Sequence, residues 1–315
     1  MVASSLSLSD ASRPSEELKR FTYTEYHMGI DARLVVYARD QKTAEEACTD
    51  AFARIAELDG IMSDYRKDSE LMTLCSKAGG PPVRVSRDLF VVLKSAEKMS
   101  RLSGGAFDVT VGPLVSLWRQ ARKSKQLPTA SDIETARKLV GWRRVILSES
   151  KRTAKLLAPG MKLDLGGIAK GYAADQAQIV LKHHGIYRAL VEMGGEIVVS
   201  HAPPGSKGWK IRIPNAEKDG VAKDMEFVDR AVSTSGDTEQ FVVIGGVQYS
   251  HVVDPRTGQA LTNRVQATVT AKTGLVSDPL ATSLTVLDER GRRKLLKSFS
   301  NSKVYVRALK GEGTD

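Results

Sequence analysis

The sequence predicts an α+β fold with mixed, largely antiparallel sheets and packed helices. Three observations predict it. Apolar residues recur at helical spacing in several separate stretches. From residue 188 to residue 253 the chain becomes a series of short strand-like segments divided by turn signals. The two kinds of segment do not interleave with the regularity of a doubly wound parallel sheet. No internal repeat or long low-complexity linker divides the chain. The reading is a Ser-rich, disordered leader over 1–20, then one domain over 21–315, which two lobes could build.

The elements follow in order. Met28 to Arg39 alternates through Ile30, Ala32, Leu34 and Val36 and reads as a strand. Thr43 and Glu46 make a capping-box pattern before a helix with Ala44, Ala47, Ala51, Ile55, Leu58 and Met62 on one face. A second helix starts near Ser86, turns Leu89, Leu93, Ala96, Met99 and Leu102 inward, and stops at Ser103-Gly104-Gly105. Ser131 and Glu134 repeat the capping pattern before a short helix. Arg143–Leu147 and Thr153–Leu157 form a hairpin. A helix after Gly167 runs to about His184, with Gly185 as its terminator. Strands are expected at Arg188–Glu192, Glu196–Ser200, Trp209–Ile213, Met225–Val232, Gln240–Ile244 and Val247–Val253. Gly245-Gly246 turns the last pair. A strand at Val265–Thr270, a helix from about Ser277, a basic helix near Arg292–Phe299 and a strand at Lys303–Ala308 complete the chain.

Composition narrows the function classes. The chain has 315 residues, 41% hydrophobic and 27% charged, and a net charge of +10. No apolar run approaches the roughly 18 residues of a membrane span. The N-terminus lacks the charged and apolar regions of a secretory signal. Basic residues are spread along the chain and aromatics are 6%, so the concentrated basic patch and stacking platforms of a nucleic-acid binder are not in evidence. A basic surface suits anionic ligands or a membrane face. Cys48 and Cys75 have no metal-ligand spacing and read as buried small apolar residues.

Three segments carry chemistry. Leu163-Asp164-Leu165-Gly166-Gly167-Ile168-Ala169-Lys170-Gly171-Tyr172 is a glycine-paved turn into a helix start, flanked by Asp164 and Lys170. Such a start offers free N–H groups and a positive dipole end to an anion; a plain strand–helix corner with an ion pair is the other reading. It fits neither the dinucleotide nor the P-loop pattern. Tyr249 to Gly258 carries His251, a general-base candidate or a structural histidine, before a turn for which Asp254 and Thr257 are suited. Upstream, the hydroxyls of Ser233-Thr234-Ser235-Gly236 either face the same ligand or form a tight turn. In Ser277-Asp278-Pro279-Leu280-Ala281-Thr282 a helix puts Asp278 and Thr282 on one face. These are hard oxygen donors suited to Mg²⁺ or Ca²⁺. Asp278 before Pro279 also has the form of a helix N-cap, and spacing alone favours the cap.

The order of motifs resembles the FAD:protein FMN transferase family, the ApbE family. The matching stretches are Met28-Gly29, Met62 to Tyr65 with Ser69-Glu70-Leu71, Gly105 to Leu114 with Leu117-Trp118, Leu163 to Tyr172, Met193-Gly194-Gly195-Glu196, Ser233 to Gly236, Ser250 to Gly258 and Asp278 to Thr282. The departure is the N-terminus, which shows neither the export signal nor the lipidated cysteine of many relatives. Localisation stays open on this reading, although the family implies export or proximity to a membrane.

The resemblance implies an enzyme that binds FAD with a divalent metal, transfers FMN to a threonine or serine hydroxyl of an acceptor protein, and releases AMP. The same site with water as acceptor would be an FAD pyrophosphatase, and without turnover a flavin carrier. By the resemblance, Asp278 and Thr282 bind the metal (Mg²⁺, with Ca²⁺ or Mn²⁺ also suited) together with the Gly167 carbonyl. His251 acts on the acceptor hydroxyl, and Asp278 joins it as a catalytic residue through the metal. Met28, Tyr65, Ala106, Phe107, Asp108, Asp164, Lys170 and Val252 contact FAD. Core packing for Phe107 and turn-capping for Asp108 are the alternatives.

Overall fold

A computed structural model of the chain describes residues 17–214, 222–236 and 241–308. The chain opens with the hairpin β1 (Lys19–His27) and β2 (Ile30–Ala38). A helical stretch follows: α1 (Gln41–Met62), α2 (Glu70–Ser76), the short β3 (Val83–Arg84), α3 (Arg87–Ser103), α4 (Gly112–Ser124) and α5 (Ala130–Arg137). The hairpin β4 (Val145–Ser148) and β5 (Thr153–Leu156) leads to α6 (Ala169–His183). Then come β6 (Ala189–Met193), β7 (Glu196–Val199), β8 (Trp209–Ile213), β9 (Lys223–Phe227), β10 (Arg230–Ser235), β11 (Phe241–Ile244), β12 (Val247–Ser250) and β13 (Val265–Ala271). The last elements are α7 (Gly274–Val286), α8 (Glu289–Leu296) and β14 (Lys303–Ala308).

The main sheet has seven strands in the order β1-β2-β6-β7-β10-β13-β14, and every neighbouring pair is antiparallel. The α+β class read from the sequence is therefore the observed one. Strand alternation sends side chains to two faces. Ala32, Leu34, Val36 and Ala38 of β2 enter the main core with α1, α3, α6 and α7, whereas Val35 joins Leu190, Val199 and Val232 on the opposite face. There the β8–β9 hairpin covers them with Trp209, Ile211, Ile213 and Phe227. A smaller cluster joins Leu114 and Trp118 of α4 and Ile133 of α5 to Val253 and Ala260. Among the described residues no helix is long and apolar enough to cross a membrane.

Local reasoning placed most elements, misjudged several of their ends, and did not foresee β1, α2, β3 or α4. All six inward residues expected on α1 are buried, but its cap is Asp40, which accepts from Thr43 N at 2.8 Å, and not Thr43. The start at Ser86 and the stop at Gly104 stand: the Ser86 hydroxyl accepts from Leu89 N at 3.1 Å, and Gly104 adopts φ +64°. The capping box before α5 is Thr129 with Asp132, not Ser131 with Glu134. The segment Met225–Val232 is two strands, β9 and β10, because Asp229 turns at φ +48° and sends the chain from the outer hairpin into the main sheet. Gly245 and Gly246 take φ +58° and +78° in the β11–β12 turn, as their hairpin role requires. Gln240, expected in that strand, lies outside the described residues. β1 begins at Lys19, inside the stretch assigned to the leader; residues 1–16 of that leader lie outside the described residues.

The helix expected from Ser277 starts at Gly274, so Asp278 is not its N-cap. The side chain of Asp175 on α6 caps it instead, accepting from Gly274 N at 2.8 Å and Leu275 N at 2.9 Å. This places Asp278 and Pro279 inside α7, a helix buried along most of its length.

Candidate active site

Sheet register gathers the site. Ala32 pairs with Met193, Met193 with Glu196, Glu196 with Ser233, and Ser235 with Ala267. The Met28-Gly29 turn, the Gly194-Gly195 turn and the end of β10 therefore lie at one end of the main sheet. Met28 at φ +51° and Gly29 at φ +79° form a two-residue turn, and Met28 packs against the main core.

At this end α6 and α7 exchange carboxylates. Asp175 of α6 caps α7, and Asp278 of α7 accepts from Gly171 N in the first turn of α6 at 3.1 Å. One N–H group of the expected anion site thus already holds a carboxylate of the protein itself. Asp278 is 3% exposed. Burial pushes its carboxyl well above the usual range, Glu196 adds to the shift, and Lys170 and Gly171 N–H oppose it. Lys170 Nζ stands 3.8 Å from Glu196 Oε1, and the Ser233 and Ser277 hydroxyls meet at 2.7 Å. Two buried carboxylates sharing one ammonium favour a further cation.

The residues expected to hold that cation are neighbours. Asp278 and Thr282 share a face of α7. The Gly167 backbone lies against Thr282: a Cβ there would sit 3.0 Å from Thr282 Oγ1 and 3.3 Å from Phe107 Cε2. Asp278 Oδ2 takes Gly171 N–H. A carboxylate, a hydroxyl and an adjacent backbone carbonyl form a hard donor set that fits Mg²⁺, Ca²⁺ or Mn²⁺. Among the described residues no three His, Cys, Asp or Glu side chains cluster as metal ligands.

Asp164 and Tyr65 belong to a second charged group. Arg119 of α4 bonds Asp64 and, at 3.1 Å, Asp164 Oδ2. Its guanidinium lies 4.3 Å from the centre of the Tyr65 ring, which is 76% exposed. Asp164 Oδ1 accepts from Gly166 N at 2.8 Å and so shapes the glycine turn. Burial and Asp64 raise the Asp164 carboxyl, while Arg119 and Gly166 N–H lower it.

Asp108 clamps loops. Oδ1 accepts from Thr110 N at 2.8 Å and Thr110 Oγ1 at 2.6 Å, and Oδ2 accepts from Trp142 N at 2.8 Å. Ala106 and Phe107 are buried in the main core, with the Phe107 ring edge at Gly167. His251 is half-buried just beyond β12. Val252 after it enters the main core and Val253 the α4–α5 cluster. Asp254 and Thr257 make turns as expected, accepting from Arg256 N at 2.9 Å and Gln259 N at 3.2 Å. Of the upstream hydroxyls, Ser233 is spent on Ser277 and Thr234 on Thr268 at 2.9 Å.

Sequence reasoning missed Glu196, Asp175 and Arg119 as parts of this region. Glu196 stood in a quoted motif, and its place after Gly194-Gly195 was the available signal. Asp175 and Arg119 gave none, because their partners lie far away in sequence.

Comparisons with known proteins identify the family and the fold. The ApbE family model matches residues 28–306. A Vibrio cholerae FAD:protein FMN transferase is 35% identical over 258 residues, covering 80% of this chain and 76% of that protein. A Klebsiella pneumoniae FAD:protein FMN transferase is 30% identical over 84% of this chain and 81% of its own length. Among solved structures, a mutant of the flavin transferase ApbE from Vibrio cholerae superposes with TM-score 0.82 at 31% identity, covering 94% of this chain and 95% of that one. The apo flavinyl transferase ApbE of Pseudomonas stutzeri gives TM-score 0.83 at 28% identity, covering 95% and 94%. With a family match across most of its length and the same fold, the chain belongs to the ApbE family.

Proposed function

We propose that this protein transfers the FMN moiety of FAD to a threonine or serine hydroxyl of an acceptor protein and releases AMP, with a divalent cation at Asp278, Thr282 and the Gly167 carbonyl. The observation that carries the reading is the oxygen-donor corner between α6 and α7, where Gly167 packs on Thr282 one turn beyond the buried Asp278. The names of the similar proteins, FAD:protein FMN transferase, support it.

The chain's own groups suit the task. Lys170, at the start of α6 and a quarter exposed, is set to meet a phosphate oxygen. Tyr65, backed by Arg119, presents an aromatic face on which a flavin or adenine ring can stack. Bound at the corner, a divalent cation would neutralise the pyrophosphate and the phosphate that departs with AMP. The acceptor oxygen bonds to the FMN-side phosphorus, the bond from that phosphorus to the AMP oxygen breaks, and the acceptor proton leaves. In this reading His251 orients that hydroxyl and takes the proton. The nucleophile belongs to the acceptor, so the site needs no catalytic serine of its own.

The test is to incubate the protein with FAD and Mg²⁺, with and without an acceptor carrying a flavinylation motif, and to follow AMP and acceptor mass. An FMN-sized gain on a threonine or serine establishes the transferase. Free FMN and AMP without acceptor would make it a pyrophosphatase, and intact bound FAD a carrier.

A further inference from the structure

Glu196 opens β7 directly after the Gly194-Gly195 turn. Gly194 takes φ +67°, and a Cβ on Gly195 would come within 2.7 Å of the Thr234 carbonyl oxygen. That turn fixes where the strand begins and holds Glu196 inside the molecule, 5% exposed. Its two carboxylate oxygens have different surroundings. Oε1 faces Lys170 Nζ at 3.8 Å. Oε2 is out of solvent and has no hydrogen-bond partner of good geometry among the described residues; the nearby Ser233 hydroxyl favours the charged carboxylate but is bonded to Ser277. Buried carboxylate oxygens are normally satisfied, so an orphan of this kind marks a missing donor.

The position of the missing donor follows from the strand and helix contacts. Glu196 pairs in register with Ser233, and the Ser233 hydroxyl is bonded to that of Ser277, the neighbour of Asp278. Glu196 and Lys170 both act on the buried Asp278. The orphan oxygen is therefore beside the proposed cation corner, where Mg²⁺-type ions keep several of their own waters. Carboxylates that accept from such waters are a regular feature of metal sites.

We propose that Glu196 is a positioning residue of the cation site: Oε1 anchors the Lys170 ammonium, and Oε2 accepts a hydrogen bond from a water that the cation carries beside Asp278. The inference rests on the cation site of the proposed function and adds a second carboxylate to it. It gives the ammonium and the cation separate anchors, so that Lys170 is held for the ligand phosphate and is not drawn onto Asp278.

The experiment uses the purified full chain without FAD and the metal alone as probe. Mn²⁺ is titrated by electron paramagnetic resonance, and the water-proton relaxation of the bound ion reports its waters. Glu196→Gln is expected to bind Mn²⁺ about 10–100-fold more weakly, to alter the relaxation of the bound ion, and to keep the metal-free melting temperature of the wild type or exceed it. Wild-type affinity and relaxation in a folded Glu196→Gln would overturn the proposal. Should that variant not fold, Glu196→Asp keeps the charge and withdraws the oxygen by one methylene; wild-type Mn²⁺ affinity there would overturn the proposal equally. Asp278→Asn separates the two layers of the reading. Undiminished Mn²⁺ binding in it removes the cation site and the proposal together. Loss in Asp278→Asn with none in Glu196→Gln removes only the role of Glu196.

Discussion

Gly171 and Gly274 meet backbone against backbone where α6 and α7 cross. A Cβ on Gly171 would collide with the Gly274 carbonyl and stand 2.8 Å from Asp278 Cβ, and a Cβ on Gly274 would stand 2.8 Å from Gly171 Cα. This approach lets each helix lend a carboxylate to the start of the other, Asp175 to α7 and Asp278 to α6. Gly171→Ala should therefore cost about 1–3 kcal/mol in urea unfolding, as overpacking of a tight contact does. It should also weaken Mn²⁺ binding, because the clash displaces the turn carrying Asp278. Wild-type stability would mean that the helices have room to separate.

Asp175 predicts a pH dependence. Burial pushes its carboxyl up to about 6, against the lowering effect of the Gly274 and Leu275 N–H groups. The folded state then holds the proton more tightly than the unfolded state. The resulting stabilisation is fully present below about pH 3.8 and is lost as pH rises through about 6. Relative to Asp175→Asn, which does not titrate, the metal-free wild type should lose roughly 2 kcal/mol between pH 4 and pH 7. Urea midpoints of both proteins in EDTA across that range check it. A wild type that gains on the variant as pH rises would show that the charged carboxylate is the better cap.

Asp108 separates clamp from ligand contact. Its three accepted hydrogen bonds tie the 108–110 turn to Trp142. Burial raises its carboxyl, and the three donors oppose that rise. Asp108→Ala, which strands all three buried donors, should destabilise the fold by about 3 kcal/mol; Asp108→Asn, which keeps one acceptor oxygen but turns its amide toward a backbone N–H, should cost less than that. If either variant lost FAD affinity at unchanged stability, Asp108 would be a ligand contact first.

Tyr65 is expected to show the opposite pattern. Its ring is mostly exposed and rests on Arg119, so it adds little to the core. Tyr65→Ala should change unfolding free energy by under about 0.5 kcal/mol. It should weaken FAD binding roughly tenfold, in keeping with the loss of one stacked ring. Fluorescence titration of FAD gives the second number, and an unchanged affinity would take Tyr65 out of the site.

What the sequence disclosed and what it hid divide along range. The pairing of Asp278 with Thr282 was readable because four residues bring two side chains onto one helical face. The glycine turn at 166–167 was readable because it precedes a helical pattern. The true start of α7 was not, because the capping group, Asp175, sits on α6 about a hundred residues upstream. The Asp278-Pro279 pair then imitated a cap closely enough to mislead. Asp40 and Thr129 were overlooked for a different reason: each stood a few residues before another residue pair that satisfied the same local rule. Glu196 needed the sheet register to reveal that Lys170 and Asp278 are its neighbours.

His251 stands on a pinned corner of the chain. Ser250 N donates to Leu261 O at 2.8 Å, Leu261 N donates to Val252 O at 2.9 Å, and Val252 N reaches the Ser250 hydroxyl at 3.1 Å. The backbone is held on both sides of it, and Val252 and Val253 are rooted in two different clusters, so the corner has anchors besides the imidazole. His251→Ala should therefore leave the melting temperature close to that of the wild type and FAD affinity within about threefold. The rate of transfer to an acceptor should fall about 10²–10⁴-fold, the usual contribution of a positioned acid–base group. Single-turnover transfer at saturating FAD measures the chemical step apart from binding, and added imidazole should restore part of it. A loss confined to FAD affinity would make His251 a ligand contact, and an undiminished rate would assign the proton to the ligand phosphate or to solvent.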